Sequence, residues 1–449
     1  MARLALLAYS LLFYLAMPLV WLRLLWRGRR QPAYRQHFGE RHALYRQTLR
    51  CGQRPLIWLH AVSVGETRAA VPLIDALLEA YPDHDLLLTH MTPTGRETGG
   101  ELLAARPERL TQAYLPYDLP DACGRFLDHF QPRIGLLMET ELWPNLIAAA
   151  RRRQLPLALI NGRLSARSLG GYMRLRTLIR PALASLSAVA AQTTADAERL
   201  QQLGARQPTV CGNLKFDVTP AADKLQLGAD WRHAMGPRPV CLLASSREGE
   251  EALLLDALAT VAVADLLLVL VPRHPQRFAE VAALLASRGL SFCRRSSAEL
   301  PGSETQVWLG DSMGEMAAYY ALADLVVMGG SLLPFGGQNL IEAAACGCPL
   351  LLGPHTFNFA QASADAIACG AGRRVPDARQ AALAAHALFA QPADLLVMRA
   401  AATAFSQAHR GATARTVALI EGLNVKVAQA THETPFSPCG RRGRGRGER

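Results

Sequence analysis

Short apolar runs bounded by Gly, Pro and Asp alternate along the chain with longer segments in which apolar residues return every three to four positions. The short runs have the length of buried strands and the longer segments the period of helices, which predicts repeated βαβ units and parallel sheets. Strands are expected near 55–60, 85–90, 133–138, 157–160 and 187–191, and again near 239–244, 265–271, 290–293, 305–309, 324–328 and 349–352. Two series imply an α/β protein with two Rossmann-like, doubly wound halves. Their ligands are expected in a cleft lined by the carboxyl ends of both sheets. The chain has 449 residues, and single cores stop growing near roughly 250–300, which also favours two domains. The expected division is 31–212 for the first half, 213–238 for a linker, 239–423 for the second half and 424–449 for a disordered basic tail.

The first thirty residues follow a different pattern. From Leu4 to Leu22 no residue is charged, and about 20 apolar residues suffice for a helix to cross a bilayer. The run passes directly into Arg23, Arg27, Arg29, Arg30 and Arg35 and lacks a small-residue cleavage pattern, so an uncleaved single-pass anchor with a basic collar is expected over 1–30. Arginines collect on the cytoplasmic side and attract anionic lipid, which would place the body in the cytoplasm against the membrane. A helix lying in the interface is the alternative.

Composition narrows the partners. The formal charge of +11 favours acidic ones. Neither the collar nor the tail cluster Arg441, Arg442, Arg444, Arg446 and Arg449 has interleaved aromatics, so no nucleic-acid partner is expected. Nine cysteines stand at irregular spacings, and the close pair Cys346 and Cys348 lacks the repeats of a zinc site. They read as small buried residues of a reducing compartment.

Candidate chemistry sits just after expected strands. Trp58-Leu59-His60-Ala61-Val62-Ser63-Val64-Gly65-Glu66 turns from strand to helix, and a dinucleotide fingerprint would need glycines where Val62 and Val64 stand. Glu66 is either a cap of that helix or a general base for an attacking hydroxyl. Thr92-Pro93-Thr94-Gly95-Arg96 is either an anion-binding or a plain helix start. In Glu139-Thr140-Glu141-Leu142-Trp143-Pro144-Asn145 two carboxylates follow a buried strand, so either an arginine holds them for structure or Glu139 shapes an acceptor site. Lys215, in Gly212-Asn213-Leu214-Lys215-Phe216-Asp217, is either a solvated lysine or a stabiliser of a departing phosphate. In the second half, Pro272 and Arg273 end an apolar strand and offer a guanidinium. Gly310-Asp311-Ser312-Met313-Gly314-Glu315 is a loop whose amides suit a phosphate or a pyrimidine edge. Gly329-Gly330-Ser331 precedes Gly336-Gly337-Gln338-Asn339-Leu340-Ile341-Glu342, a Gly-rich loop and a helix start whose Glu342 suits ribose hydroxyls.

Taken in order, HAVSVGE, TPTG, METELWPN, INGRLSARS, GNLKFD, VPRHP, GDSMGE and GGQNLIEA resemble the bacterial 3-deoxy-D-manno-octulosonic acid (Kdo) transferases, from the anchor to about residue 423. The resemblance implies a GT-B architecture and inverting transfer of Kdo from CMP-Kdo to the lipid A precursor, with no cofactor and no required metal. It implies Glu66 as the base, with Glu139 and Lys215 stabilising the transition state. It further implies CMP contacts at Pro272, Arg273, Met313, Gly314, Glu315, Asn339, Leu340, Ile341 and Glu342. The partners implied are CMP-Kdo, the lipid A precursor and anionic membrane lipids, at the inner membrane. One phosphate on the donor suits a lysine, an arginine and backbone amides without an acidic metal cluster.

Two departures from the family's pattern are Arg247 in Ser245-Ser246-Arg247-Glu248-Gly249-Glu250, where a histidine is common, and Gln338, where many members have histidine. Gln replaces the hydrogen bonds of His but does not titrate. Rival readings are another GT-B nucleotide-sugar transferase or epimerase, and a catalytically silent membrane-anchored binding protein.

Overall fold

A computed structural model describes residues 1–45, 54–261 and 263–432, the side chains of 424–432 excepted. The chain forms two compact units, Met1–Leu214 joined by the segment from Gly411 onward, and Lys215–Arg410.

The first unit is built on β1 (Leu56–His60), β2 (Asp85–His90), β3 (Leu110–Tyr114), β4 (Ile134–Met138), β5 (Leu157–Gly162), β6 (Ala188–Ala191) and β7 (Thr209–Val210). They pair in parallel in the order β3-β2-β1-β4-β5-β6-β7, with Trp58 opposite Leu87 on one side and Gly135 on the other. β1, β2, β4 and β5 are buried throughout, as central strands of a sheet covered on both faces must be. Trp58, Phe126 and Leu137 fill the core on one face, and Leu59, Leu73 and Leu136 the core on the other.

The second unit repeats the plan with β8 (Val240–Ser246), β9 (Leu267–Pro272), β10 (Phe292–Arg294), β11 (Val307–Leu309), β12 (Leu325–Met328), β13 (Leu350–Leu352) and β14 (Gly372–Arg374). These are parallel in the order β10-β11-β9-β8-β12-β13-β14. In each sheet the strand order reverses beside the first strand, between β1 and β4 and between β8 and β12. Crevices of this kind of fold open at that switch point.

Eleven strands fall where the hydrophobic pattern expects them; β3, β7 and β14 lie outside that set. β3 carries Thr111 and Gln112, β7 has two exposed residues, and β14 has two exposed arginines, so none presents a continuous apolar run. The expected domain limits also shift. Within 213–238 the helix Ala222–Met235 belongs to the second unit, with Trp231 packed edge-on against Trp308 and Gly228 close on Ala318. Residues from Gly411 to 423 belong to the first unit, because Ala412, Ile420 and Leu423 are buried with Leu59, Ala69 and Leu73. That last helix, Ala412–His432, runs past residue 424, where a disordered tail is expected; residues 433–449, with the tail arginines, lie outside the described residues.

Candidate functional site

In the first unit the candidate side chains gather where β1 and β4 end. Beyond β1 the helix Val64–Ala80 starts at Ser63, whose hydroxyl oxygen accepts the Glu66 N–H. The Glu66 carboxylate closes the cap: Oε2 accepts the Val62 N–H at 2.8 Å and Oε1 accepts the Ser63 hydroxyl at 3.0 Å. This is a variant of the capping box in which the carboxylate reaches the N–H one residue before the cap, and it fixes a half-buried carboxylate at the strand end. An ionised carboxylate offers about four lone-pair sites, so cap and base are compatible roles for one side chain.

The neighbouring motif is tied to the same loop. The Thr92 hydroxyl donates to the Val62 carbonyl at 3.1 Å while its oxygen accepts the Gly95 N–H at 3.1 Å. A β-carbon at Gly95 would lie 3.0 Å from the Val62 carbonyl oxygen, so only glycine lets the two loops meet this closely. Arg96 is engaged by Glu40 through a bidentate pair at 2.6 and 3.2 Å. Below the site His60 is sealed against Thr89, and burial holds its pKa down at about 3, so the imidazole stays neutral.

Beyond β4, Glu139 takes a left-handed conformation with φ 55°. Such a φ is uncommon outside glycine and strains the turn. The turn brings Glu141 under the combined field of Glu66 and Glu139. Burial first, then the Glu66 charge and, more weakly, that of Glu139 raise the Glu141 pKa to about 7, against the lowering effect of the Trp143 indole. Three carboxylates therefore share the switch point, and one holds a proton near neutral pH. The turn is anchored by the helix Pro144–Arg152, whose Asn145 and Leu146 N–H groups both donate to the buried Asp118 carboxylate at 3.0 and 2.8 Å. At the end of β5, the Asn161 side chain accepts the Leu214 N–H at 3.1 Å, fixing the residue that precedes Lys215.

In the second unit Lys215 begins the chain and lies over the Phe359 ring at 5.6 Å, next to Asn358, whose N–H donates to the Gly336 carbonyl. Lys215 thus stands beside the Gly-rich loop. That loop is held by Glu250, which accepts the N–H groups of Gly330 at 2.6 Å, Leu332 at 3.0 Å and Arg247 at 2.9 Å. Gly329 lets β12 close on β8, since a β-carbon there would stand 2.5 Å from the Ala244 carbonyl oxygen. Arg247 lies over the Phe335 ring at 4.4 Å, so the residue that replaces the family's histidine braces the same loop. Pro272 ends β9 opposite Ser246, and Arg273, its side chain exposed, donates its N–H to the Ser246 carbonyl.

The remaining candidates differ in what they can offer. Met313 is exposed, Gly314 has φ 78°, and Glu315 is held by Arg295 at 3.0 Å and by the Ser312 hydroxyl at 2.6 Å. Asn339 caps the short helix Leu340–Ala345 through the Ile341 N–H and donates its amide to Glu342 at 2.9 Å. Leu340 and Ile341 are core residues, each 1% exposed, so they can meet a ligand only through the backbone. The structure therefore joins Glu66 to Glu139, and Lys215 to the Gly-rich loop. It also brings in Glu141, Asp118 and Glu250, none of which is a candidate site residue in the sequence reading. For Glu141 the signal was the second carboxylate of the motif, and for Glu250 the acidic residue one turn beyond Ser246. Among the described residues no three His, Cys, Asp or Glu side chains are grouped to hold a metal ion.

Comparison with known proteins shows the family. Residues 36–218 match the family described as 3-deoxy-D-manno-octulosonic-acid transferase (kdotransferase). A 3-deoxy-D-manno-octulosonic acid transferase of Bordetella pertussis is 49% identical over 416 residues, covering 90% of this chain and 96% of its own. One from Haemophilus influenzae is 38% identical, covering 74% of this chain and 78% of its own. Among solved structures, a glycosyltransferase from Rickettsia africae aligns with a TM-score of 0.57 over 83% of this chain and 98% of its own; at 12% identity it speaks for the GT-B fold alone. With the carboxylate cluster, the Gly-rich loop and a relative matched over nearly its whole length, the chain belongs to the 3-deoxy-D-manno-octulosonic acid transferase family of glycosyltransferases.

Proposed function

We propose that the enzyme transfers Kdo from CMP-Kdo to the lipid A precursor with inversion, without a metal, at the cytoplasmic face of the inner membrane. The observation that carries this reading is Glu66, a half-buried carboxylate fixed by Val62 and Ser63 at the end of β1 beside two further carboxylates. In the proposed step Glu66 removes the proton from an acceptor hydroxyl, whose oxygen attacks the anomeric carbon of Kdo as the bond to the CMP phosphate breaks. Positive charge grows on the sugar ring and negative charge on the phosphate. Glu139 answers the first, and Lys215 with Arg273 the second. Backbone groups of the loops at 313–315 and 339–342 are assigned to the cytidine and ribose, and Glu342 to the ribose hydroxyls. Two cations and loop amides suit a monophosphate leaving group, which supports the assignment of CMP and the absence of a metal requirement. The apolar helix Ala2–Arg30, ending in Arg27, Arg29 and Arg30, supports a membrane location beside anionic lipid.

The test is to incubate the full-length protein in vesicles with CMP-Kdo and tetra-acylated lipid A precursor, with EDTA present, and to weigh the lipid products. Addition of Kdo mass is expected. Lipid that stays unmodified, while a UDP-sugar donor is consumed instead, would overturn the reading.

A further inference from the structure

The helix Ala2–Arg30 is long and apolar enough to cross a bilayer, yet one of its faces is packed against the first unit for most of its length. Ser10, Met17, Leu24 and Gly28 are buried, at spacings of seven, seven and four residues, and Phe13 and Val20 are packed between them on the first unit's core. That spacing draws a single stripe along a helix. Met17 is itself part of the core cluster that contains Trp58 and Phe126. The stripe also makes polar bonds: the Ser10 hydroxyl donates to Asn145 Oδ1 at 2.9 Å, the Tyr14 hydroxyl to Asp121, and the Trp21 indole to His42 at 3.1 Å.

From residue 10 to residue 28 the docked stretch measures ~27 Å at 1.5 Å per residue, close to the full thickness of the hydrocarbon layer. A helix that spanned the bilayer in this docked state would carry Asp121 and Arg125, which are about half exposed and paired at 2.7 Å, into lipid beside Tyr14. Charged groups facing hydrocarbon at that depth are not tolerated. The opposite face is exposed and apolar, with Leu4, Leu11, Leu15, Leu22, Leu25 and Trp26. Arg23, Arg27, Arg29 and Arg30 are exposed near one end, where they complement anionic head groups.

We propose that Ala2–Arg30 lies in the plane of the membrane interface, docked on the first unit, with its leucine face in an anionic lipid surface rather than spanning it. The docking also reaches the chemistry. Ser10 holds Asn145, and Asn145 and Leu146 are held by Asp118 at the start of the helix that anchors the Glu139–Trp143 turn. Lipid contact along the helix is thereby linked to the position of the carboxylate cluster. This inference goes beyond the donor and acceptor assignments and does not depend on them.

The experiment uses the full-length chain with Cys369, an exposed thiol, changed to Ser, reconstituted in phosphatidylethanolamine/phosphatidylglycerol vesicles. Nitroxides are placed at Leu4→Cys, Leu15→Cys and Leu25→Cys, with the chain lacking these cysteines as background, and their depths are read by power saturation. Equal, shallow depths at all three sites are expected. A deep Leu15 with Leu4 and Leu25 shallow in opposite leaflets would overturn the proposal, as would no lipid contact at any site. A second arm labels Ala2→Cys, in the chain that keeps Cys369, with a membrane-impermeant maleimide. Labelling from the side that labels Cys369 supports the in-plane helix, and labelling only from the other side overturns it.

Discussion

The two units share one plan, a seven-stranded parallel sheet that reverses order beside its first strand, but they carry opposite chemistry at that point. In the first unit Glu66, Glu139 and Glu141 converge, and burial, then the charge of Glu66 and more weakly that of Glu139, raise the pKa of Glu141. In the second unit acidic residues are as numerous, but the structure commits them to holding loops and arginines. Glu250 binds four backbone N–H groups of two loops, Glu251 holds Arg277 at 2.7 and 3.0 Å, Asp311 holds Arg294, and Glu315 holds Arg295. In the proposed reaction one fold would present carboxylates to an incoming hydroxyl and the other cations and amides to a departing phosphate. The difference comes from loops after the strands, since the strands themselves are interchangeable apolar runs.

Substituting Glu66 breaks this comparison most directly. In Glu66→Gln the carboxamide oxygen still accepts the Val62 N–H, so the cap survives and folding stability should change by less than about 1 kcal/mol. The proposed base is gone, and kcat should fall by about 10³-fold. The pair of measurements is kcat and a denaturation midpoint. A variant that loses stability yet turns over normally would reduce Glu66 to a cap.

Next comes the claim that the second unit's acids are structural. Arg277→Ala leaves Glu251, 1% exposed, without its cation, and breaking a buried pair costs about 3–5 kcal/mol. A marked drop in the unfolding midpoint is expected, together with a kcat that recovers once the protein is refolded at low temperature. A midpoint within experimental error of the parent would show that the pair is not what secures this loop. Lys215→Ala sharpens the other side of the contrast. Removing one charge that answers the leaving phosphate should lower kcat by about 10²-fold and leave the acceptor KM little changed. A change confined to KM would make Lys215 a binding residue only.

Much of this was legible in the residues, for identifiable reasons. Runs such as Ile134–Met138 and Leu267–Pro272 are apolar at every position and could only be central parallel strands. The Gly-rich loop pointed to positions without room for a side chain: Gly329 lies against the Ala244 backbone, and Gly336 against the side chains of Asn358 and Phe357. What escaped was whatever depends on a partner distant in sequence. The last helix, Ala412–His432, has an apolar face that would fit either core, and nothing local says it returns to the first. The first helix is apolar all round, so its docked stripe is invisible until Asn145 and Asp121 are seen beside it. The sequence offered an arginine to hold Glu139 and Glu141 together, but the character of Glu141 comes mainly from burial and from Glu66, on a different strand end.

That dependence gives the finest test of the comparison, because it concerns the sum of the charges and not any one of them. In the unfolded chain Glu141 loses its proton near its ordinary value of 4.5, whereas in the fold it keeps it to about 7. Between those values the folded state binds more protons than the unfolded one, so stability falls as pH rises from 4.5 to 7 and stays lower above. Glu141→Gln cannot ionise and escapes that loss. Allowing for the partial access of solvent, the variant should gain about 2 kcal/mol on its parent between pH 5 and pH 8, read from urea unfolding at the two pH values. Glu66→Gln should capture part of the same gain, since it removes the larger of the two charges acting on Glu141, and Glu139→Gln a smaller part. If neither substitution changes the pH slope, the three carboxylates do not act on one another, and the first unit would hold its acids in isolation as the second unit does.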